Sequence, residues 1–400
     1  MIIHLFFIYI YNIGMNKLEK FLLKLFSLFV IKNQKYIVFE SANDFYDNAY
    51  ALCKYIKVHY PKYKIKYLVT DKKMIPLAPS RGIAKKELLD ASNKLKLYYY
   101  SLKAKVIFFS YNNYWKKLKL TEKTKLVFIT HGEFPMKDCK AYYDYLCGPQ
   151  ENTVTFVTRT EFTKKVLLDK YPVLRNHEFL TFGMPRNDVL FHCSLNKEDI
   201  LKSFGLKEFK DQDIILSMTT FRNENVQNLD YFKDEFPIKL NKEDLKELNA
   251  LLIKNNQVLV IKLHHSQDGV IQPENLDNIL FIRNNDILKN NTTINEFYAL
   301  CSAMITDFSN SFLGFLPLDR RIGFIITDKD KYSKDRGLTF ENQEDYMPGE
   351  KMSTKEDFFK FFDNQNKKDE YKEMRAEVRA KLAGNYKDQN CKEVTDYFLK

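Results

Sequence analysis

The sequence predicts an α/β fold of two Rossmann-like βαβ domains facing each other across a cleft. Three observations carry this. Short apolar runs rich in β-branched and aromatic residues alternate with stretches of helical periodicity, the pattern of parallel βαβ units. A charged stretch from Asn196 to Asp213 separates two such alternating sets. And 400 residues, at roughly 150 per domain, are enough for two sizeable cores.

In the first set, Lys35–Ser41 reads as a strand ending in a polar turn, Asp47–Tyr60 as a helix and Tyr63–Thr70 as a strand. Lys94–Lys103 reads as a helix and Ala104–Ser110 as a strand. Lys125–Thr130 is a strand running straight into His131-Gly132. Asn152–Thr158 is a strand followed by a helix over Glu161–Lys170, and Phe179–Phe182 leads into Gly183-Met-Pro-Arg-Asn-Asp188. The second set opens with the strand Asp213–Ser217, then a helix over Asp244–Asn255 and the strand Gln257–Leu263, ending in His264-His265. A helix near Asn295–Cys301 precedes the apolar run Ala303–Ile305, and Arg321–Thr327 is a further strand. The expected boundaries are an apolar, amphipathic membrane-associating segment over 1–34, domains over 35–195 and 196–365, and one charged helix over 366–400.

A hydrophobic content of 45% with 29% charged residues is ordinary for a folded protein, and sparse Gly and Pro exclude collagen-like or long low-complexity chains. The net charge of +11 suits either an anionic partner or a Lys-rich solvated surface. No zinc finger, RNA-binding aromatic motif or basic-region helix occurs, so nucleic acid is not an expected partner. The six cysteines form no CxxC pair, which reads as reduced thiols, with no metal site expected. Ile2–Ile13 is apolar but shorter than the ~20 residues of a membrane span, and it lacks the flanks of a signal peptide. Lys17, Lys20 and Lys24 lie opposite Leu18, Leu22, Leu25, Phe26 and Phe29 at helical spacing. Such a basic amphipathic helix packs on the protein's own body or, the preferred reading, lies in an anionic membrane interface.

The chemistry gathers at strand ends. After Ala303–Ile305 come Thr306, Asp307, Ser309, Asn310 and Ser311, then helix-compatible apolar residues. This strand–turn–helix start suits phosphate, because backbone N–H groups at a helix N-terminus lack intrahelical partners and the dipole there favours anions. In a parallel sheet it would open into the ligand crevice at the strands' carboxyl ends. His131 occupies an equivalent place, with a near-neutral unperturbed pKa suited to a general base or acid, or caps a turn as a structural His. Lys262 and His264 end another strand and could neutralise phosphate charge. Arg222, after Thr219-Thr220-Phe221, offers a bidentate fork for phosphate or is a surface Arg. Gly183–Asp188 either starts a helix capped by Asn187 or Asp188 or holds Arg186 in the cleft. Lys331–Gly337 reads as a polar loop. The motifs of P-loop, dinucleotide-binding, zincin and α/β-hydrolase proteins are absent.

In order along the chain, these pieces resemble the CDP-glycerol glycerophosphotransferase family, the teichoic-acid primases and polymerases. His131-Gly-Glu-Phe-Pro-Met-Lys137 resembles its HGxPxK element, Gly183–Asp188 its G-[YMF]-P-R-N-D element and Thr219–Arg222 its PTFR element. Lys262-Leu-His-His265 resembles KxHP, and Thr306–Asn310 resembles TDYSS with Asn at the last position. Tyr332, Arg336-Gly337, Phe340 and Pro348-Gly349 resemble a later Y…RG…F…PG pattern. The resemblance implies a glycosyltransferase-B-like fold and transfer of a polyol phosphate from CDP-glycerol or CDP-ribitol, as substrate rather than cofactor, with release of CMP. The acceptor it implies is a hydroxyl of a lipid-linked glycan or polymer at the cytoplasmic face of the membrane. It implies His131 as the base and His264 as a second catalytic residue, steadying the pyrophosphate with Arg222. Thr306, Ser309 and Ser311 would bind the phosphates, and Lys137, Arg186, Lys262, Asn310 and Arg336 would complete the substrate-binding set. Asp307 would hold the loop or touch a polyol or ribose hydroxyl. Two other classes stay open: a nucleotide-sugar glycosyltransferase of the same fold in surface polysaccharide synthesis, and a non-catalytic assembly protein.

Overall fold

The computed structural model describes residues 34–41, 45–116, 118, 120, 123–130, 136, 138–150, 152–222, 230–264, 267, 275–363, 369–384 and 388–400. The expected helix over 17–32, His131, Lys137 and His265 lie outside these residues.

Two wholly parallel sheets form the molecule. The first contains β1 (Tyr36–Glu40), β2 (Lys64–Val69), β3 (Leu88–Asp90), β4 (Ala104–Phe109), β5 (Lys125–Phe128), β6 (Val154–Thr158) and β7 (Glu178–Thr181), in the order β3-β2-β1-β4-β5-β6-β7. The second contains β8 (Asp213–Met218), β9 (Gln257–Lys262), β10 (Ile279–Ile282), β11 (Cys301–Thr306), β12 (Arg321–Ile325) and β13 (Glu350–Met352), in the order β10-β9-β8-β11-β12-β13. The order reverses between β1 and β4 and again between β8 and β11. In open α/β sheets ligands bind outside the strands' carboxyl ends at such a switch point. The second reversal is pinned by register, with Ile305 opposite Ser217 and Thr306 opposite Met218.

Both faces of each sheet are buried, which is why the strands read as continuous apolar runs rather than as alternating ones. Val38, Ile107, Phe109, Leu126 and Phe128 face one core of the first domain, while Ile37, Phe39, Val106, Phe108 and Val127 face the other. In the second domain Ile214, Leu216, Val258, Val260 and Met304 face one core, and Ile215, Leu259, Ile261, Ala303 and Ile305 the other.

The C-terminal region is two helices, Lys372–Leu382 and Asn390–Leu399, where one charged helix was expected. The second returns to the first sheet, where Cys391, Val394, Phe398 and Leu399 join the core and the Phe398 ring meets Phe108 edge-on at 5.6 Å. Burying each such apolar side chain contributes about 1.5–3 kcal/mol, enough to hold the helix there. The expected polar loop over 331–337 is instead part of a helix, Lys329–Arg336, whose charged sequence shows no apolar face. Among the described residues no helix is long and apolar enough to cross a membrane.

Candidate functional site

The second domain's switch point is built on Asp307, which follows β11 and is fully buried. Its carboxylate accepts the Thr220 N–H at 3.0 and 2.9 Å, the Thr220 hydroxyl at 2.5 Å and the Ser309 N–H at 3.1 Å. Arg222 reaches the same carboxylate at 2.7 Å. The Arg222 Nε and Nη2 donate to the two oxygens of Asp328, after β12, at 2.7 and 3.0 Å, and its Nη1 donates to the Thr220 carbonyl. Burial pulls the Arg222 pKa down, but the carboxylates of Asp307 and Asp328 outweigh it and hold it above the usual value. Arg222 therefore fixes the turn in this arrangement, with its fork on Asp328 instead of open to a ligand. Two carboxylates thus share one guanidinium, with Lys239 close enough to feel both Arg222 and Asp328.

The neighbouring hydroxyls are also engaged. Thr306 Oγ1 donates to the Met218 carbonyl at 2.7 Å, and the Ser309 hydroxyl accepts the Ser311 N–H at 3.3 Å. Ser311 adopts helical backbone angles and makes no side-chain cap. The helix it precedes, Phe312–Phe315, is one turn long and runs into a 3₁₀ turn over Leu316–Leu318. So short a helix sums few peptide dipoles, and the strong helix dipole expected at this turn is absent. The turn is thus held by its own hydroxyls and main chain, which pair within the second domain.

Lys262 and His264 lie beside it at the end of β9. The His264 N–H donates to Gln267 Oε1 at 2.7 Å, and its ring lies parallel to Phe221 with centroids 5.7 Å apart. This stacking joins the PTFR-like and KxHP-like segments. Arg336 is exposed in the last turn of its helix, ahead of Gly337 at φ 72°.

The Gly183–Asp188 segment is a junction. Arg186 pairs with Asp47 at 2.8 Å, while Asn187 accepts the Asn295 side-chain N–H from the second domain at 3.1 Å. Asp188 accepts the N–H groups of Asn390 and Cys391 at 3.0 and 2.8 Å, holding the start of the C-terminal helix. Burial pushes the Asp47 and Asp188 carboxyls above the usual range, against the opposing pull of Arg186 on Asp47 and of the donated hydrogen bonds on Asp188. Gly183 is required by close approach, not by flexibility: a Cβ there would lie 1.6 Å from Asn390 Oδ1. Asn390 cannot swing aside without losing its 2.7 Å bond to Asp188. Gly183→Ala is therefore expected to cost about 1–3 kcal/mol in urea unfolding, and Asn390→Ala added to it should restore part of the loss. Equal stability of Gly183→Ala and the native chain would exclude this contact.

Sequence reasoning missed the polar residues that set the strand ends. Glu40, fully buried at the end of β1, accepts the N–H groups of Ser110, Tyr111 and Asn112 after β4, closing the first switch point. Its signal was an acidic residue ending an apolar run. Asn48, also fully buried, donates to the Thr130 carbonyl at 2.6 Å and accepts the Arg186 N–H at 3.1 Å. Thr130 has φ 26°, costly for a β-branched residue, and directly precedes His131.

The two domains meet at Met136, within the His131–Lys137 run. Its N–H donates to Asn310 Oδ1 at 3.2 Å and its carbonyl accepts from Gln343 Nε2 at 2.9 Å. Its side chain is fully buried in the second domain's core cluster. Nearby, the Phe162 ring stacks on Phe340 and Tyr346, and Lys170 Nζ reaches the Leu338 carbonyl and the Thr339 hydroxyl, each at 3.4 Å.

Comparison with known proteins follows the same lines. The sequence profile of the CDP-glycerol:poly(glycerophosphate) glycerophosphotransferase family matches residues 22–397. A teichoic acid poly(glycerol phosphate) polymerase of Bacillus spizizenii (strain W23) is 26% identical over 348 residues, covering 81% of this chain and 82% of that one. The protein so named from Bacillus subtilis (strain 168) is 25% identical over 351 residues, 81% of this chain but 43% of that longer one. Among solved structures, that of the wall teichoic acid polymerase TagF superposes with a TM-score of 0.71 at 19% identity, covering 96% of this chain and 93% of that one. The two-domain, glycosyltransferase-B-like fold is thus shared.

Proposed function

The chain belongs to the CDP-glycerol:poly(glycerophosphate) glycerophosphotransferase family, and we propose that it transfers glycerol phosphate from CDP-glycerol to an acceptor hydroxyl, releasing CMP. The observation that carries this reading is the Met136–Asn310 hydrogen bond, which joins the HGxPxK-like run of one domain to the TDYSS-like turn of the other. An acceptor base and a donor-phosphate site on different domains need such convergence.

In the proposed reaction the acceptor oxygen attacks the phosphorus bearing glycerol, the bond to the bridging oxygen breaks, and CMP leaves. His131 takes the acceptor proton. His264, held by Phe221 and Gln267, together with Lys262, steadies charge on the pyrophosphate. The 306–311 turn forms the crevice floor, and Asp307 and Arg222 hold its shape instead of receiving phosphate. The acceptor is a lipid-linked glycan or a growing polymer. The lysine-bearing face over residues 17–32 suits a peripheral site on an anionic membrane surface.

A donor panel of CDP-glycerol, CDP-ribitol and UDP-sugars, offered with a glycerol-phosphate-primed acceptor, tests this. CMP release with CDP-glycerol is the expected result. UDP release from a UDP-sugar without CMP from either CDP-polyol would overturn it.

A further inference from the structure

We propose that Asn310 and Gln343 are positioning residues that clamp Met136 of the first domain, five positions after His131, onto the donor turn of the second. This rests on the transfer reaction proposed above and deepens it. The clamp is specific because it takes both main-chain groups of one residue. Asn310 holds the Met136 N–H and Gln343 holds its carbonyl, while the buried Met136 side chain anchors the same point in the second domain's core. Gln343 is itself 1% exposed, and its Oε1 accepts the Phe340 N–H at 3.3 Å, so its amide has one orientation in which both ends are paired. The neighbouring Asp138 N–H donates to the Gly337 carbonyl at 3.4 Å, continuing the seam.

Asn310 stands where the resembling motif has serine. A serine hydroxyl also accepts, but it is shorter by one heavy atom and would stand further from the Met136 N–H. The departure thus supplies an acceptor that reaches the other domain. Asn310 Oδ1 is taken up by the Met136 N–H, and its role is to fix Met136 against the donor turn.

Mere packing would affect stability and donor binding together, whereas a positioning clamp affects the transfer step. In Gln343→Ala, kcat for CMP release should fall on the order of 10–10²-fold, with the Kd for CDP-glycerol within about 3-fold. Gln343→Glu keeps the shape but, when ionised, opposes the Met136 carbonyl. Burial raises the pKa of such a carboxyl, so its kcat relative to the native enzyme should recover between about pH 8 and about pH 6 as protonation restores a donor. Hydrogen exchange at the Met136 amide, followed on the peptide that contains it, should quicken about 5-fold or more in Asn310→Ala and Gln343→Ala, without change in β6. Unchanged exchange overturns the clamp. So does a kcat loss matched by an equal loss of CDP-glycerol affinity, or a Gln343→Glu defect that ignores pH. A native enzyme that releases no CMP overturns the reaction instead, and the exchange comparison then decides the clamp alone.

Discussion

Asp307→Ala is expected to destabilise the second domain by about 3–5 kcal/mol and to lower CMP release on the order of 10²-fold. Asp307 is fully buried and answers the main-chain and hydroxyl donors of Thr220, the Ser309 N–H and the Arg222 guanidinium at once. Removing it strands the Thr220 N–H and leaves Arg222 with Asp328, whose side chain is 25% exposed and so pairs in a wetter setting. The direction of the Arg222 shift shows that, in the intact cluster, the carboxylates prevail over desolvation. Because β8 and β11 are neighbours, losing the Asp307–Thr220 bonds loosens the two adjacent strand ends. Asp307→Asn keeps an acceptor for the Thr220 N–H and should retain part of the stability, but it gives Arg222 no charge. Urea unfolding and CMP release measured on the same preparations decide this. A native midpoint in Asp307→Ala would remove the ion cluster from any account of the site.

The sheets were legible because parallel strands with both faces buried are continuous apolar runs, as in Lys35–Phe39 and Gln257–Lys262. The strands that escaped, β3, β10 and β13, are three or four residues long; β5 is as short in the fold, but its apolar run extends through Ile129. The helix Lys329–Arg336 escaped because lysine and aspartate fill its faces, leaving no apolar period. At the site, the residues that end strands were legible and their partners were not. Nothing local in the sequence pairs Arg222 with Asp328, 106 positions away, or Met136 with Gln343, 207 positions away. The Gly183–Asp188 segment shows the limit most clearly. Its composition suggested a helix start or a ligand-facing arginine, and a 3₁₀ helix over Pro185–Phe191 does begin there, without the side-chain cap. The fold spends its three polar side chains on Asp47, Asn295 and the C-terminal helix, a role visible only once those distant segments have met.

His131→Ala is expected to lower CMP release by about 10²–10⁴-fold, the range of a lost general base, with CDP-glycerol affinity kept within about 3-fold. The residue before it gives a physical reason to place the base here. Thr130 holds φ 26° at the end of β5, and the fully buried Asn48 fastens its carbonyl in that conformation. A strained backbone held by a buried side chain persists only where its surroundings over-determine it. A strand end next to the domain junction is where reorienting one side chain would serve a reaction between domains. The pH profile separates base chemistry from positioning. A histidine base must be neutral to act, so native kcat/KM should rise with pH across the near-neutral range of imidazole and level above it. His131→Ala should lose that limb. Gln343→Ala should keep it at reduced height, since the base is present but misplaced. If His131→Ala keeps both the rate and the limb, the base lies elsewhere, and His264 becomes the residue to replace next.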